Sequence, residues 1–211
     1  MDLTAAEIRV LGCLLEKQRT TPDTYPLTLN ALRAACNQST NRDPVVAYDE
    51  ATIRDAVTRL HRRRWARLSS GAGSRTSKYR HLLDESLTSA PDELAILCVL
   101  MLRGAQTPGE LKARAERLHP FADLAAVHAT LARLIERDLV SQLPRRPGQK
   151  EERFAHRLSE DRDEPAAPVA VARPEPVAPP SATPDDDRVT RLEQRVEALA
   201  AEVAELRRAL G

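Results

Sequence analysis

Residues 4–15 read Thr-Ala-Ala-Glu-Ile-Arg-Val-Leu-Gly-Cys-Leu-Leu, a helix-start signal followed by an amphipathic run. Thr4 and Glu7 form an S/T-x-x-E capping box, in which each side chain accepts a hydrogen bond from the other residue's backbone N–H. The apolar residues that follow recur every three or four positions, as they do on one face of a helix. The sequence therefore predicts a helix that starts after Thr4 and ends near Lys17.

Two further helices and a hairpin are predicted next. Thr28 can cap a short second helix, and the turn-forming residues 37–44 stop it. Asp49 then opens a third helix. Its apolar stripe comprises Ile53, Ala56, Val57 and Leu60. Two strand-like segments flank a Gly-rich turn at 71–74, which predicts a hairpin over 65–82. Three helices followed by a hairpin are typical of a winged helix.

The same order of elements recurs from residue 87 onward. Glu-Leu-Ala-Ile-Leu at 93–97 matches Glu-Ile-Arg-Val-Leu at 7–11, an offset of 86 residues. Thr107 and Glu110 form another capping box, with Pro108 at the first helical position. Asp123 opens a third helix, and a second hairpin is predicted over 139–158. The residues of this third helix predicted to face inward are Leu124, Val127, Leu131, Leu134 and Ile135. The chain is thus interpreted as a duplication.

The C-terminal part has a different composition. Residues 161–187 contain seven prolines, which predicts an extended tether. Residues 188–211 carry apolar positions at alternating spacings of three and four, which is an a/d heptad seam. The seam comprises Val189, Leu192, Val196, Leu199, Val203, Leu206 and Leu210. Val at a and Leu at d favour a parallel homodimer; a single amphipathic helix folded back on a domain is the alternative.

The predicted fold class is mainly α with small β-hairpin wings. The predicted organisation is a first winged-helix domain at 1–86, a second at 87–160, a Pro/Ala-rich linker at 161–187 and a coiled-coil helix at 188–211.

Positive charge is concentrated in one part of the chain. The whole sequence of 211 residues has a net charge of +1, but residues 45–81 hold nine basic and three acidic residues, a net +6. The region 87–160 is close to neutral at +1, and residues 161–211 are acidic at −4. A basic region of this size suits either phosphate binding or a solvated surface.

Several features indicate a cytoplasmic protein. The sequence has no apolar run of the roughly 18 residues that a membrane span requires, and its start lacks the pattern of a signal peptide. Cys13, Cys36 and Cys98 are far apart in sequence and have apolar neighbours, as expected of buried thiols in a reducing compartment.

The sequence contains none of the common catalytic or metal-binding motifs. It has no H-E-x-x-H, C-x-x-C, Walker loop or G-x-S-x-G. Its five histidines, which are scattered over different predicted elements, are His61, His81, His119, His128 and His156. We therefore expect no enzymatic activity, no catalytic residue, no cofactor and no metal.

Several long strings closely resemble the YceH-like family of uncharacterised bacterial proteins. They are Leu-Gly-Cys-Leu-Leu-Glu-Lys-Gln at 11–18, Thr-Thr-Pro at 20–22, Tyr-Pro-Leu at 25–27, Ala-Cys-Asn-Gln at 35–38, Asn-Arg-Asp-Pro-Val at 41–45 and Leu-Arg-Gly-Ala-Gln-Thr-Pro-Gly-Glu-Leu at 102–111. The resemblance covers residues 3 to about 158. It implies tandem winged helices, but it supplies no ligand, reaction or site residue.

The first unit has the residue types of a nucleic-acid interface. In a winged helix the third helix enters the major groove and the wing reaches neighbouring phosphates. The candidate contacts are Arg54, Thr58, Arg59, Arg62, Arg63, Arg64, Arg67, Arg75, Lys78 and Arg80. Asp49, Glu50 and Asp55 occupy the part of the helix where base-reading residues would be wanted, so duplex binding is expected to be weak and mainly electrostatic.

The alternative is a protein-interaction scaffold that does not bind DNA, since the fold alone does not decide between them. In the second unit, residues 123–138 contain Arg133 and Arg137 but have a net charge of −1. That helix is expected to pack, dimerise or bind protein. The loop 37–44, with Arg42, is open to two interpretations: it holds a peptide or small anion, or its polar side chains satisfy turn backbone groups.

Overall fold

The structure is a computed structural model that describes residues 2–69, 77–145 and 151–159. Within these ranges the chain is mainly helical, with seven α-helices and two small antiparallel sheets. The hairpin turn at 71–74, Arg75, the Pro/Ala-rich tether and the heptad segment lie outside the described residues.

The first half begins with three helices, interrupted by a short strand, and ends in two further strands. The elements are α1 (Ala5–Thr20), a 3-10 turn (Pro22–Thr24), β1 (Leu27–Thr28), α2 (Leu29–Cys36), α3 (Glu50–Arg62), β2 (Ala66–Leu68) and β3 (Lys78–His81). The sheet order is β1-β3-β2, and Tyr79 of β3 pairs with Leu27 on one side and Leu68 on the other.

The second half repeats this order after one additional helix. The elements are α4 (Leu83–Leu87), α5 (Pro91–Arg103), α6 (Pro108–Ala115), α7 (Leu124–Glu136), β4 (Val140–Leu143) and β5 (Arg153–His156). A single antiparallel bridge between Gln106 and Phe154 takes the place that β1 has in the first half. Its two backbone hydrogen bonds measure 3.0 and 2.8 Å.

The predicted helix starts are confirmed. Thr4 and Thr107 each close a capping box, while Asp49 and Asp123 accept hydrogen bonds of 2.8 Å from backbone N–H groups in the first turns of α3 and α7. The predicted end of α1 is wrong, because the helix continues from Lys17 to Thr20. The intervening residues favour helix, and the first residue that breaks it is the proline at position 22.

Helices α1 and α5 pack against each other in the core. The thiol of Cys98 donates a hydrogen bond of 3.5 Å to the carbonyl of Gly12, its counterpart 86 residues earlier. A Cβ atom placed on Gly12 would lie 2.9 Å from Leu102 Cδ2 and 3.2 Å from Met101 Cβ. All residues from Glu93 to Leu102 are buried, so α5 is covered on every side. The close crossing therefore depends on glycine at position 12.

Gly12→Leu is expected to lower the free energy of unfolding by about 2–3 kcal/mol, because the added side chain overpacks the helix crossing. Urea denaturation of the full chain measures this change. The matched control is Gly109→Leu in α6, where a Cβ atom would have no neighbour within 4 Å. Equal losses in the two variants would contradict the close packing at Gly12.

Two predicted core residues of α7 are exposed instead. Leu124 and Ile135 have exposed fractions of 48% and 39%, so their inward assignment is wrong. The buried stripe is narrower than predicted and consists of Val127, Thr130, Leu131 and Leu134. Thr130 is acceptable in the core because its hydroxyl donates to the Asp92 carboxylate at 2.7 Å.

The three cysteines are buried and not disulfide-bonded, as predicted. Distance along the sequence is misleading, however, because the Cys13 and Cys36 thiols are close enough to interact: Cys13, together with burial, raises the pKa of the Cys36 thiol. No helix in the described ranges is long and apolar enough to cross a membrane. The same ranges contain no cluster of three His, Cys, Asp or Glu side chains suited to a metal ion.

Candidate nucleic-acid interface

Helix α3 has a buried face and a charged outer face. Ile53, Ala56, Val57 and Leu60 are all buried, as predicted. The stripe fixes the rotation of the helix, so the residues between its members point to solvent. Arg54, Thr58, Arg59 and Arg62 are accordingly exposed.

Four arginines of this region are exposed and have no ion-pair or hydrogen-bonding partner for their side chains within the described parts of the chain. They are Arg59, Arg62, Arg64 and Arg67. Arg64 follows the end of α3 in a left-handed conformation, with φ of 61°, and its carbonyl accepts a hydrogen bond from Ser86. These four guanidinium groups are available to a ligand.

The other candidate contacts are partly engaged. Arg54 forms an ion pair with Glu50, and the Thr58 hydroxyl donates to the Arg54 carbonyl at 2.8 Å. Arg63 donates to the Asp2 carbonyl at 2.9 Å, and Arg80 lies 3.2 Å from Glu85. A further candidate, Lys78, is half-buried on β3.

The acidic residues of α3 are also mostly engaged. The Asp49 carboxylate accepts the capping hydrogen bond from Thr52, which lowers the pKa of that carboxyl. Glu50 is paired with Arg54 one turn later. Asp55 is exposed. Asp49 and Glu50 therefore have local structural roles at the start of α3, and the cap by Asp49 is the role that the sequence predicted.

The strands hold the base of the predicted wing against the end of α3. Trp65 N–H donates to the Leu60 carbonyl at 2.9 Å, and Leu82 N–H donates to the Trp65 carbonyl at 2.8 Å. Strand register places Arg67 opposite Arg80. The basic side chains of β2 and β3 thus follow the end of α3 and extend the basic region beyond that helix.

His81, at the end of β3, is buried and does not belong to this surface. Its Nε2 lies 2.6 Å from Gln18 Oε1, and Leu83 N–H donates to its Nδ1. Burial lowers the pKa of His81 to about 4, so the imidazole is neutral near pH 7. A neutral, buried ring cannot contact phosphate.

The corresponding arginines of α7 are neutralised. With Asp123 aligned to Asp49, an offset of 74 residues, Arg133 corresponds to Arg59 and Arg137 to Arg63. Arg133 pairs with Asp92 and lies 3.4 Å from Glu93, while Arg137 lies 2.5 Å from Glu93 and also donates to the Leu87 carbonyl. Both of these cations are thus paired with acidic groups of the protein itself.

The electrostatics of Asp92 fit this pairing. Burial opposes ionisation, but the hydrogen bond from Thr130 and the charge of Arg133 outweigh it and hold the pKa of Asp92 below its usual range. In the first unit the residue before the capping glutamate is Ala6, so no equivalent carboxylate is present there.

Glu7, the counterpart of Glu93, forms no hydrogen bond or ion pair with the described residues of α3. One carboxylate oxygen accepts hydrogen bonds from the N–H and hydroxyl of Thr4, at 2.9 and 2.8 Å. The other is buried and has no hydrogen-bond partner among the described residues. A cavity of about 330 Å³ separates this end of α1 from Arg59, Arg62 and Arg63. Among the described residues, Arg59 therefore has no partner at the position where Arg133 is paired.

The outer faces of α3 and α7 differ in polarity as well. At five exposed positions of α3, residues Glu50, Arg54, Asp55, Thr58 and His61 correspond to Leu124, His128, Ala129, Ala132 and Ile135 of α7. One face is charged and the other is mainly apolar. The two units thus present different chemistry from the same position in the fold.

The loop 37–44 has a structural role. The buried Arg42 guanidinium donates to the Glu16 carboxylate at 3.1 and 2.6 Å, and to the carbonyls of Ala35 and Asn41. The Asn37 side chain exchanges hydrogen bonds with the backbone of Tyr48. Arg42 is thus engaged within the protein, which favours the structural interpretation over anion binding by this residue.

Comparison with known proteins identifies relatives along almost the whole chain. A family described as "Protein of unknown function, DUF480" matches residues 3–149. A UPF0502 protein of Pelobacter propionicus is 50% identical over 210 residues, covering 99% of this chain and 94% of its own length. UPF0502 proteins of Geobacter metallireducens and Shewanella sp. are 51% and 45% identical, covering 92% and 98% of this chain and 88% and 95% of their own lengths. The chain therefore belongs to the DUF480/UPF0502 family of uncharacterised bacterial proteins, which is consistent with its resemblance to YceH-like sequences.

Proposed function

We propose that this chain is a DNA-binding protein of two winged-helix units, in which only the first unit contacts the duplex. The observation that carries the proposal is the contrast between two equivalent helices. Arg59 and Arg62 of α3 are exposed and unpaired within the described ranges, whereas Arg133 and Arg137 of α7 are held by Asp92 and Glu93.

The winged-helix interpretation rests on element order. In each half, two helices precede a third helix that is followed by an antiparallel strand pair, and in the first half β1 joins that pair. The third helix of such a unit is the one that enters the major groove. In the first unit this helix is α3, so its outer face would lie against the duplex.

The exposed side chains support binding to the phosphate backbone of DNA. The available groups are guanidiniums, which suit phosphate oxygens. Glu50 pairs with Arg54 and Asp55 is exposed near the start of α3, so base edges would meet few free donors there. Four phosphate contacts correspond to a slope of about −3.6 in log affinity against log salt. We expect binding with little sequence preference.

The test is a fluorescence anisotropy titration of the full chain against random-sequence duplex at several salt concentrations. We expect measurable binding at about 50 mM salt and a steep loss by about 200 mM. No binding at the lower concentration would contradict the proposal. Affinity that does not change with salt would contradict the electrostatic mode.

A second candidate function, as a protein-interaction scaffold, is favoured by the apolar outer face of α7. Leu124 and Ile135 lie at its two ends, with Ala125, Ala129 and Ala132 between them. We propose that a second copy of this chain covers the face. The heptads at 188–210 predict a dimer, and a dimer would bring two α7 helices to high effective concentration. The alanines at the centre of this face would permit the α7 helices of two copies to approach closely around a two-fold axis.

Leu124→Glu combined with Ile135→Glu is expected to raise the dimer dissociation constant at least tenfold, which corresponds to about 1.4 kcal/mol. Sedimentation equilibrium of the full chain measures it. Gln142→Glu, an exposed change on β4, is the control and should have no effect. An unchanged constant in the double variant would remove α7 from the interface.

A further inference from the structure

A basic cavity lies at the junction of the two duplicated halves, away from the residues assigned to DNA. Its volume is about 410 Å³. Its walls are the end of α1, the loop after α2, the end of α5 and helix α6. Four cations border it: Lys17 of α1, Arg103 of α5, Arg114 of α6 and Arg117 just after α6.

One carboxylate borders the cavity, and it is already engaged. Glu16 accepts two hydrogen bonds from the buried Arg42 and lies 3.3 Å from Lys17. Its charge is therefore offset by Arg42, which does not border the cavity. Among the lining residues the positive charge remains in excess.

The arginines are weakly neutralised. Arg114 lies 3.2 Å from Glu110, but both side chains are about one-third exposed, so this surface pair is weak. Arg117 is exposed and has no partner within the described ranges, and Arg103 donates only to the Asn41 side chain. Burial and the neighbouring charges of Arg114 and Arg42 lower the pKa of Arg103, as expected where cations are crowded.

The floor of the cavity is apolar. Val99 and Leu102 of α5 and Leu118 after α6 contribute to it. A volume of this size suits a small organic molecule, and pockets of this kind combine apolar walls with a few charged groups that fix orientation. The combination distinguishes the cavity from a patch of surface arginines.

We propose that this cavity binds a small phosphomonoester, with the phosphate held by Arg103, Arg114 and Arg117 and the organic part against the apolar floor. A phosphomonoester carries about −1.5 to −2 charge at neutral pH and presents several acceptor oxygens, which matches a group of guanidiniums better than a carboxylate does. Lys17 borders the cavity from the first half, so the ligand bridges the two units. Such a ligand would act as an effector that fixes their packing.

Thermal unfolding of the full chain tests the proposal. The probes are phenyl phosphate, n-butyl phosphate and inorganic phosphate, each compared with sodium chloride at equal ionic strength. At about 100 times its dissociation constant, a phosphomonoester should raise Tm by about 5–10 °C. No probe exceeding the chloride control would overturn the proposal. Inorganic phosphate binding as tightly as both esters would overturn the role of the apolar floor.

Arg114→Gln with Arg117→Gln should weaken ester binding at least tenfold. Lys112→Gln with Arg145→Gln, which removes the same two charges, is the matched control, and Arg145 does not line the cavity. Lys112 is in the same helix but does not line the cavity. Arg114 is partly exposed and Arg117 is exposed, and Tm without ligand verifies that the variant folds. Equal losses in the double variant and the control would overturn the site, because they would indicate a general charge effect. The inference does not depend on DNA binding, which is measured separately.

Discussion

Replacing Arg59 and Arg62 with glutamine is expected to weaken binding to random duplex about 60-fold near 100 mM salt, since each phosphate contact there contributes about eightfold. The slope of log affinity against log salt should fall by about 1.8. The reason is that both side chains are exposed on α3 and unpaired among the described residues, so they are available to phosphate. Anisotropy titrations at several salt concentrations measure both quantities.

A matched control removes the same charge from the second unit. Lys112→Gln with Arg145→Gln lowers the net charge by two in α6 and near the second hairpin. It should change affinity by less than about threefold, the effect of net charge alone. Arg133→Gln should also have little effect on DNA binding, because that side chain is paired with Asp92 and Glu93. Equal weakening in the Arg59/Arg62 variant, the Lys112/Arg145 variant and the Arg133 variant would show that the first unit has no special role in DNA binding.

Arg42→Ala is expected to lower the free energy of unfolding by about 3–5 kcal/mol, because it breaks a buried ion pair. Among the described residues, the partly buried Glu16 carboxylate would keep only Lys17, at 3.3 Å, as an ionic partner. The Arg42 side chain is fully buried, and it joins Glu16 of α1 to the loop that follows α2. Urea denaturation gives the value. Arg54→Ala provides the contrast, because both side chains of its pair with Glu50 are at least half exposed and the pair should contribute less than about 1 kcal/mol.

The Arg42 account also predicts a pH dependence. Burial opposes ionisation of Glu16, but the hydrogen bond and charge of Arg42 lower the pKa of its carboxyl below the ordinary value of 4.5. The ionised Glu16 carboxylate therefore stabilises the folded state above about pH 4.5, and this stabilisation is lost as the pH falls through the lowered pKa. Wild type should lose more stability than Arg42→Ala between about pH 5 and 3. A larger loss in the variant would contradict the pairing.

The local features of the fold could be predicted because their causes lie within a few residues. A capping box such as Thr4 with Glu7 needs only the two side chains three positions apart, and the stripe of α3 follows from helical spacing. Helix α4 was missed because no side chain caps it. Leu124 and Ile135 fit a helical stripe by spacing, but the width of the buried face depends on what packs against it.

The pairing of the arginines could not be predicted from local pattern. Arg133 and Glu93 are 40 residues apart, and Arg42 and Glu16 are 26 apart. One signal was available, since aligning the two halves shows Asp92 where the first half has Ala6. That difference adds a carboxylate to one unit only. The pairing of Asp92 with Arg133 depends on how α5 packs against α7, which the local sequence pattern does not specify.

Hydrogen-exchange protection of the full chain, with and without random duplex at about 50 mM salt, tests most directly whether the two units differ in DNA binding. The account predicts slower exchange on adding DNA in peptides from α3 and from the strands that follow it. Peptides from α7 should be unchanged. Protection of α7 equal to that of α3, or protection confined to the second half, would contradict the assignment of DNA binding to the first unit.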